Sequence, residues 1–287
     1  MGVQSWHRGR LSDPQAAQIV RWLPQVRLRR DASWNLVDTA VLDVECATGR
    51  VVIKAGGPAN HHIGREITAY GGFTDCLART GHAPRLLHHD RTLNLLVVDY
   101  LDGSLVQGSV AESTPATYLQ AGRLARAFHG QGERIAPEWD AAAVTKSLAW
   151  LDKPHRIPPQ RAAALRAILT SHRPQQVVVS PTHGDWQPRN WLAHDGEIKV
   201  IDFGRFAWRP AMSDLCRLAA QQWMHDPRLE DAFFDGYGDD PRAQNRSHWR
   251  MLALHEAIGT AVWAHQVGDE PFERQGHRMV SDALRLF

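Results

Sequence analysis

Cysteine is scarce in this 287-residue chain: three residues, Cys46, Cys76 and Cys216, lie far apart and form no C-x-x-C pair. That excludes a disulfide framework and predicts a reduced, cytoplasmic protein. An excess of one charge is missing too. The formal net charge is +2, too balanced for a dedicated nucleic-acid binder. No apolar run reaches the roughly 18–20 residues that span a bilayer. Residues 1–14 hold no apolar stretch of the secretory-signal kind, so no membrane partner is expected. No G-x-x-x-x-G-K-[ST] occurs, which excludes a P-loop enzyme. Sixteen histidines are present without an H-E-x-x-H, and His61-His62 and His88-His89 lack i,i+4 spacing, so a histidine metal centre is not expected. Hydrophobic residues make up 43% and charged residues 22%, which suits a well-buried interior and excludes a disordered chain. The length predicts about two domains.

The two halves differ in texture. Gln25–Arg30, Leu36–Cys46, Arg50–Lys54, Arg85–His89 and Leu93–Tyr100 read as strands. Thr48-Gly49 makes a hairpin turn between the second and third. Asn60–Thr80 has near-helical apolar spacing, weakened at Gly71-Gly72. After Asp102-Gly103 helices dominate. Ser113-Thr114-Pro115 is a helix start, and Gln160–Ser171 reads as a further helix. Val177–Val179 is a short apolar run, and Asp195-Gly196 is a hairpin turn between Asn190–Ala193 and Glu197–Asp202. The fold class expected is α+β: a small antiparallel sheet followed by a larger helical region.

The chemistry-bearing stretch is His183-Gly184-Asp185-Trp186-Gln187-Pro188-Arg189-Asn190, followed by Ile201-Asp202-Phe203-Gly204. One carboxylate can take a proton from a hydroxyl. An amide oxygen and a second carboxylate, at the ends of one hairpin, are hard oxygen ligands suited to Mg2+. Phosphoryl transfer needs these parts. Taken singly, each residue has a plainer use: Asp185 as a loop cap, Asn190 in an Asx turn, Asp202 in a turn before Phe203-Gly204.

In H-G-D-x-x-x-x-N with a downstream D-F-G, the chain resembles the aminoglycoside phosphotransferase and choline kinase-like family, relatives of protein kinases. The resemblance covers about residues 30–220 and implies a bilobal kinase-like fold. It implies a nucleotide-binding lobe over residues 1–98, a hinge at 99–104 and a catalytic, acceptor-binding lobe over 105–287. It further implies Asp185 as catalytic base, Asn190 and Asp202 as Mg2+ ligands, and Lys54 as the phosphate-binding lysine held by Glu66. Asp99 and Leu101 correspond to the adenine-binding hinge. His183 and Asp214 correspond to supports of the catalytic loop. ATP is the implied donor, with GTP as the alternative, and a small hydroxylated molecule the acceptor, for a monomer or dimer. An edge-strand lysine, a solvated helix glutamate and a helix-starting Ser213-Asp214 are the corresponding plain readings.

The chain departs from the pattern where kinase-like folds carry glycines over the phosphates. Asp31-Ala32-Ser33-Trp34-Asn35 has none, which leaves Ser33 and Asn35 as candidate side-chain donors. For the acceptor, Trp186 is a candidate stacking surface, and Asp231, Asp235 and Glu256 are candidate acidic contacts; a solvated helix face is the plain reading of residues 225–240. An antibiotic is the first acceptor class. A metabolic amino alcohol or sugar is the second, and a nucleotide-binding pseudokinase is the rival of another kind.

Overall fold

The computed structural model describes residues 6–287. Helix α1 (Asp13–Trp22) opens it. Its start is written in Ser12-Asp13-Pro14-Gln15: the Ser12 N–H donates to Gln15 Oε1 at 3.0 Å in a reciprocal capping box. Strands β1 (Arg27–Asp31), β2 (Thr39–Cys46) and β3 (Gly49–Gly56) follow as antiparallel neighbours. Gly49 turns β2 into β3 at φ +116°, a conformation open to glycine. Next come α2 (His62–Thr68) and α3 (Asp75–Ala78). The helix expected over 60–80 is interrupted between them at the weak point Gly71-Gly72, where Gly72 sits at φ +131°. Strands β4 (Leu86–Asp90) and β5 (Leu95–Asp99) complete a five-stranded sheet in the order β1-β2-β3-β5-β4, and β6 (Ser104–Leu105) follows.

The remaining elements are α4 (Pro115–His129), β7 (Arg134–Ala136), α5 (Trp139–Leu151), α6 (Pro159–Ser171) and β8 (Val177–Thr182). Then come the hairpin β9 (Trp191–His194) and β10 (Glu197–Val200), and β11 (Ala207–Arg209), which pairs with β8. Helices α7 (Cys216–Ala220), α8 (Gln222–His225), α9 (Pro227–Tyr237), α10 (Pro241–Gln244), α11 (Arg246–Val267) and α12 (Glu270–Leu284) close the chain. Among the described residues no helix is long and apolar enough to cross a membrane.

The chain forms two compact units. The first runs to Ser109 and takes in Pro188–Phe206; the second comprises Val110–Gln187 and Ala207–Phe287. A division at 99–104 assigns residues 188–206 to the helical part. They group instead with the first unit, because β9 pairs with β6 and the Val200 N–H donates to His82 O at 2.7 Å.

In the first unit, period-two alternation sends Val51, Ile53 and Ala55 of β3 into a core with Leu42, Val44, Leu95, Val97 and Ile19 of α1. Each large side chain buried there contributes about 1.5–3 kcal/mol. Gln15 fastens α1 to the sheet, donating to Gly56 O at 3.0 Å and Leu93 O at 2.8 Å. The alternation leaves Lys54 on the opposite face.

In the second unit, α11 and α12 share a core with α6 through Leu165, Leu169, Leu254, Ile258, Val262 and Val280. Helices α4 and α9 approach so closely that a Cβ on Gly122 would stand 2.0 Å from Phe233 O, and one on Gly236 would stand 1.9 Å from Leu119 O. Polar contacts tie α5 to α11 and to the segment after α6. Ser147 Oγ pairs with His255 Nδ1 at 2.7 Å, and Asp140 Oδ2 pairs with His172 Nε2 at 2.8 Å and accepts the Gln175 N–H at 3.0 Å. Burial pushes the His255 imidazole down to about 4, against the opposing charge of Asp140.

Two outcomes follow for stability. Gly122→Ala or Gly236→Ala forces backbone apart and lowers unfolding free energy by about 1–3 kcal/mol, read as a lower urea midpoint. His255 stays neutral in the fold between its ordinary value of 6.5 and about 4. The unfolded chain binds the proton first, so stability falls as pH drops through that window and is restored above it. His255→Gln flattens this part of a pH series of thermal melts.

Candidate active site

In the first unit, Lys54 is buried at 8% exposure and its ammonium meets two carboxylates. Nζ donates to Glu66 Oε1 at 2.7 Å and Oε2 at 3.0 Å, and to Asp202 Oδ1 at 2.9 Å. Burial favours the neutral amine, but Asp202 and Glu66 outweigh it and raise the lysine above its ordinary value. Glu66 is fully enclosed near Tyr70, whose hydroxyl is pushed well up by burial first and by the Glu66 charge second. The helix–strand pairing anticipated for Lys54 and Glu66 is therefore formed.

Asn190 and Asp202 stand at the same end of the β9–β10 hairpin. The register pairs Trp191 with Val200, and the Ile201 N–H continues it by donating to Asn190 O at 3.0 Å. The hairpin tip carries Asp195 and Gly196 with φ +49° and +81°, as a tight I′-type turn requires. Asp202 itself has φ +67°. A non-glycine residue held there costs about 1–3 kcal/mol and persists only where neighbours fix it. Here the neighbours are Lys54, the buried Phe203 beside Tyr70 at 5.7 Å between ring centroids, and Gly204, whose carbonyl pairs with His62 Nδ1 at 2.9 Å. The Asp202 side chain is 53% exposed, so its carboxylate is available to a cation. One carboxylate, one amide oxygen and phosphate oxygens make a donor set that Mg2+ accepts.

In the second unit, Asp214 organises the loop that carries Asp185. Its Oδ2 accepts the His183 N–H at 2.8 Å, and its Oδ1 accepts the Gly184 N–H at 2.6 Å. His129 Nε2 lies 3.0 Å from Oδ2, and His129 Nδ1 lies 3.0 Å from the Tyr237 hydroxyl. Burial raises the Asp214 carboxyl, but the His129 hydrogen bond and neighbouring charge outweigh it and hold the group below the usual carboxylate range. An ionised Asp214 requires the His129 proton on Nε2, which leaves Nδ1 to accept from Tyr237. Gly184 sits at φ +83°, and the Asp185 N–H donates to His183 Nδ1 at 3.2 Å. Asp185 Oδ1 receives Gln187 Nε2 and Arg217 Nη1. These hydrogen bonds tie His183 and Asp214 into the loop that carries Asp185. His129, Tyr237, Gln187 and Arg217 join them without having been singled out. Their signals were a histidine ending the α4 pattern and an arginine three residues past Asp214.

The remaining candidates are placed differently. Ser33 Oγ accepts the Val41 N–H at 3.0 Å across the β1–β2 loop, and Asn35 Oδ1 accepts from Arg10 Nη2 at 2.8 Å, which ties the loop to the segment before α1. Asp99 and Leu101 line an open groove of about 650 Å3 with Arg50, Arg79, Arg85 and Tyr100. The Asp99 carboxylate is matched by Arg85 Nε at 2.6 Å. The Arg50 guanidinium lies 3.5 Å from the Tyr100 ring centroid. Trp186 is 1% exposed and packs edge-on against His183, which makes it core and not the stacking surface expected. Glu256 accepts Arg217 Nε at 2.6 Å, with its side chain still 28% exposed. Asp231 and Asp235 are exposed on α9. Around them three of the other carboxylates are paired within the run: Asp226 with Arg228, and Glu230 and Asp240 with Arg242.

Residues 47–251 match the phosphotransferase enzyme family, across most of the chain and both units. The chain belongs to that family. No curated protein sequence matches this phosphotransferase. Solved structures share its fold at low identity. A choline/ethanolamine kinase family protein from Mesorhizobium loti is 17% identical with a TM-score of 0.64, over 95% of this chain and 94% of that one. The macrolide 2′-phosphotransferase MphH from Brachybacterium faecium is 17% identical with a TM-score of 0.61, over 94% and 98%. The choline kinase LicA from Streptococcus pneumoniae is 12% identical with a TM-score of 0.67, over 94% and 97%. The α+β, kinase-like fold class is thereby established.

Asp214 carries a testable consequence. Its folded carboxyl is held low, so its contribution is present above the ordinary carboxylate range and is lost as pH falls through the folded value. Asp214→Asn turns an N–H2 toward groups that already donate and lowers stability by roughly 3 kcal/mol. Denaturant titrations at pH 7 and pH 3 measure both effects, and the difference between variant and parent shrinks at pH 3.

Proposed function

We propose that this phosphotransferase moves the γ-phosphoryl group of ATP, as its magnesium complex, to a hydroxyl of a small molecule, with GTP as the alternative donor. The observation that carries the reading is the Lys54–Glu66–Asp202 cluster, a buried ammonium held by one enclosed carboxylate beside one that is half exposed. Asp185, on the loop tied to Asp214, is the group that orients the acceptor hydroxyl and takes its proton. The acceptor oxygen forms the new O–P bond as the bond to the β–γ bridging oxygen breaks, and the nucleotide diphosphate leaves with that electron pair. Asn190 and Asp202 are the residues that would hold Mg2+, which when bound neutralises phosphate charge. Lys54, steadied by Glu66, balances charge on the phosphates that are not transferred. Backbone groups of Asp99 and Leu101 would meet the adenine edge. With a largely dissociative transition state, positioning and charge outweigh the strength of the base.

The acceptor class we favour is a hydroxylated antibiotic. Arg228 and Arg242 pair with Asp226, Glu230 and Asp240, while Asp231 and Asp235 remain exposed on α9, so aminoglycosides and less charged hydroxylated antibiotics both stay within the class. Likeness to choline kinases supports an amino alcohol as the second class.

The test is nucleotide consumption by purified protein with Mg2+ across macrolides, aminoglycosides, choline, ethanolamine and sugars. Acceptor-dependent turnover is expected. It is abolished in Asp202→Ala, and in Asp185→Ala kcat falls by about 10²-fold or more while nucleotide affinity is kept. Near-parental turnover in either variant would sink the residue assignments. Nucleotide binding without turnover on any acceptor would favour the pseudokinase.

A further inference from the structure

Asp185 is part of a buried chain of charge that no motif announces. Arg217, in the first turn of α7, is 5% exposed. Its Nη1 reaches Asp185 Oδ1, and its Nε reaches Glu256 Oε1 at 2.6 Å. Glu256 also accepts the Thr260 hydroxyl at 3.3 Å, and the guanidinium carbon lies 5.5 Å from the Phe272 ring centroid. Burial acts against the guanidinium charge, but Asp185 and Glu256 outweigh it and raise the group above its ordinary value. A guanidinium is planar, so gripping it at both Nε and Nη1 fixes its plane as well as its position. The α11 carboxylate therefore sets the arginine, and the arginine sets the carboxylate of the catalytic loop.

A pair with only a packing role would be replaceable by apolar side chains of similar volume. This one differs because one partner is the proposed base. Gln187 Nε2 and Arg217 Nη1 converge on the same oxygen, Oδ1, which restrains rotation of the carboxylate about its Cβ–Cγ bond. We propose that Arg217 is a positioning residue for phosphoryl transfer: clamped by Glu256, it fixes the direction of the Asp185 carboxylate and maintains its negative charge toward the acceptor hydroxyl. The proposal rests on the phosphotransfer reading above. It assigns Glu256 to the support of the base and not to acceptor binding.

Two measurements separate this proposal from that reading. The first is steady-state kinetics against pH on the best acceptor. Arg217→Gln is expected to lower kcat about 10²-fold with the KM for ATP within roughly twofold, because direction is lost while nucleotide binding is untouched. The acid limb of kcat/KM moves to higher pH, since the carboxylate has lost its cation. Arg217→Lys restores part of kcat. In an Asp185→Asn background, Arg217→Gln adds no further loss. A folded Arg217→Gln enzyme with parental kcat and an unmoved acid limb would overturn the proposal, as would full additivity with Asp185→Asn.

Where Arg217→Gln does not fold, Glu256→Gln takes its place. It loosens the Nε end but also removes a negative charge near Asp185, so kcat is the readout: a smaller fall than in Arg217→Gln is expected with the KM for ATP kept, and a parental kcat overturns the proposal. The second measurement needs no turnover: carbon-13 titration of the Asp185 carboxyl, assigned with Asp185→Asn. Its midpoint rises in the Arg217→Gln variant if the clamp operates and stays put if it does not. Wild-type protein inert on every acceptor, with the midpoint still rising, would reject the function while upholding the clamp.

Discussion

A charge taken out of water has to be met by donors or by an opposite charge, and Asp214 shows how much structure that requirement can organise. Its two oxygens collect the N–H groups of His183 and Gly184 and the ring of His129. Those partners draw in Tyr237 on α9 and the end of α4. The close approach of α4 and α9 at Gly122 and Gly236 then has a purpose, since His129 and Tyr237 come from those two helices. The loop bearing Asp185 is thus anchored in the helical core by one buried carboxylate.

The first unit solves the same problem with a lysine. Lys54 lies on the sheet face opposite Ile53, and Glu66 and Asp202 surround its ammonium. Glu66 is fully enclosed, whereas the Asp202 side chain is half exposed. One carboxylate therefore serves the fold and the other remains open to solvent and cations. The left-handed backbone at Asp202 belongs to this arrangement, held by the hairpin end, by Phe203 and by Gly204. Arg217 between Asp185 and Glu256 is the second unit's counterpart, with the charges reversed in role: a cation steadied by one carboxylate in order to steady another.

The β1–β2 loop gives a contrast. It carries no glycine, and Ser33 and Asn35 are used within the protein, toward Val41 and Arg10. In the acidic run around α9, Asp226 pairs with Arg228, and Glu230 and Asp240 pair with Arg242, while Asp231 and Asp235 stay exposed.

Local signals determined much of this protein. Alternation placed Lys54 on one face of a strand, Asp195-Gly196 specified the hairpin that brings Asn190 and Asp202 to one end, and Thr114-Pro115 started α4. These are short-range effects, decided by backbone sterics and by neighbours a few residues away. Helix α1 was equally local, encoded in Ser12-Asp13-Pro14-Gln15, yet it is easily overlooked beside the strands that follow. What the sequence could not disclose was which charges meet over long separations. Arg217 reads as one of 29 arginines until Asp185 and Glu256, 32 and 39 residues away, close around it. Glu256 reads as a ligand-facing acid until its partner is found, and Trp186 as a stacking ring until it is buried. Pairing and burial at that range depend on how helices pack, and only the tertiary structure decided them.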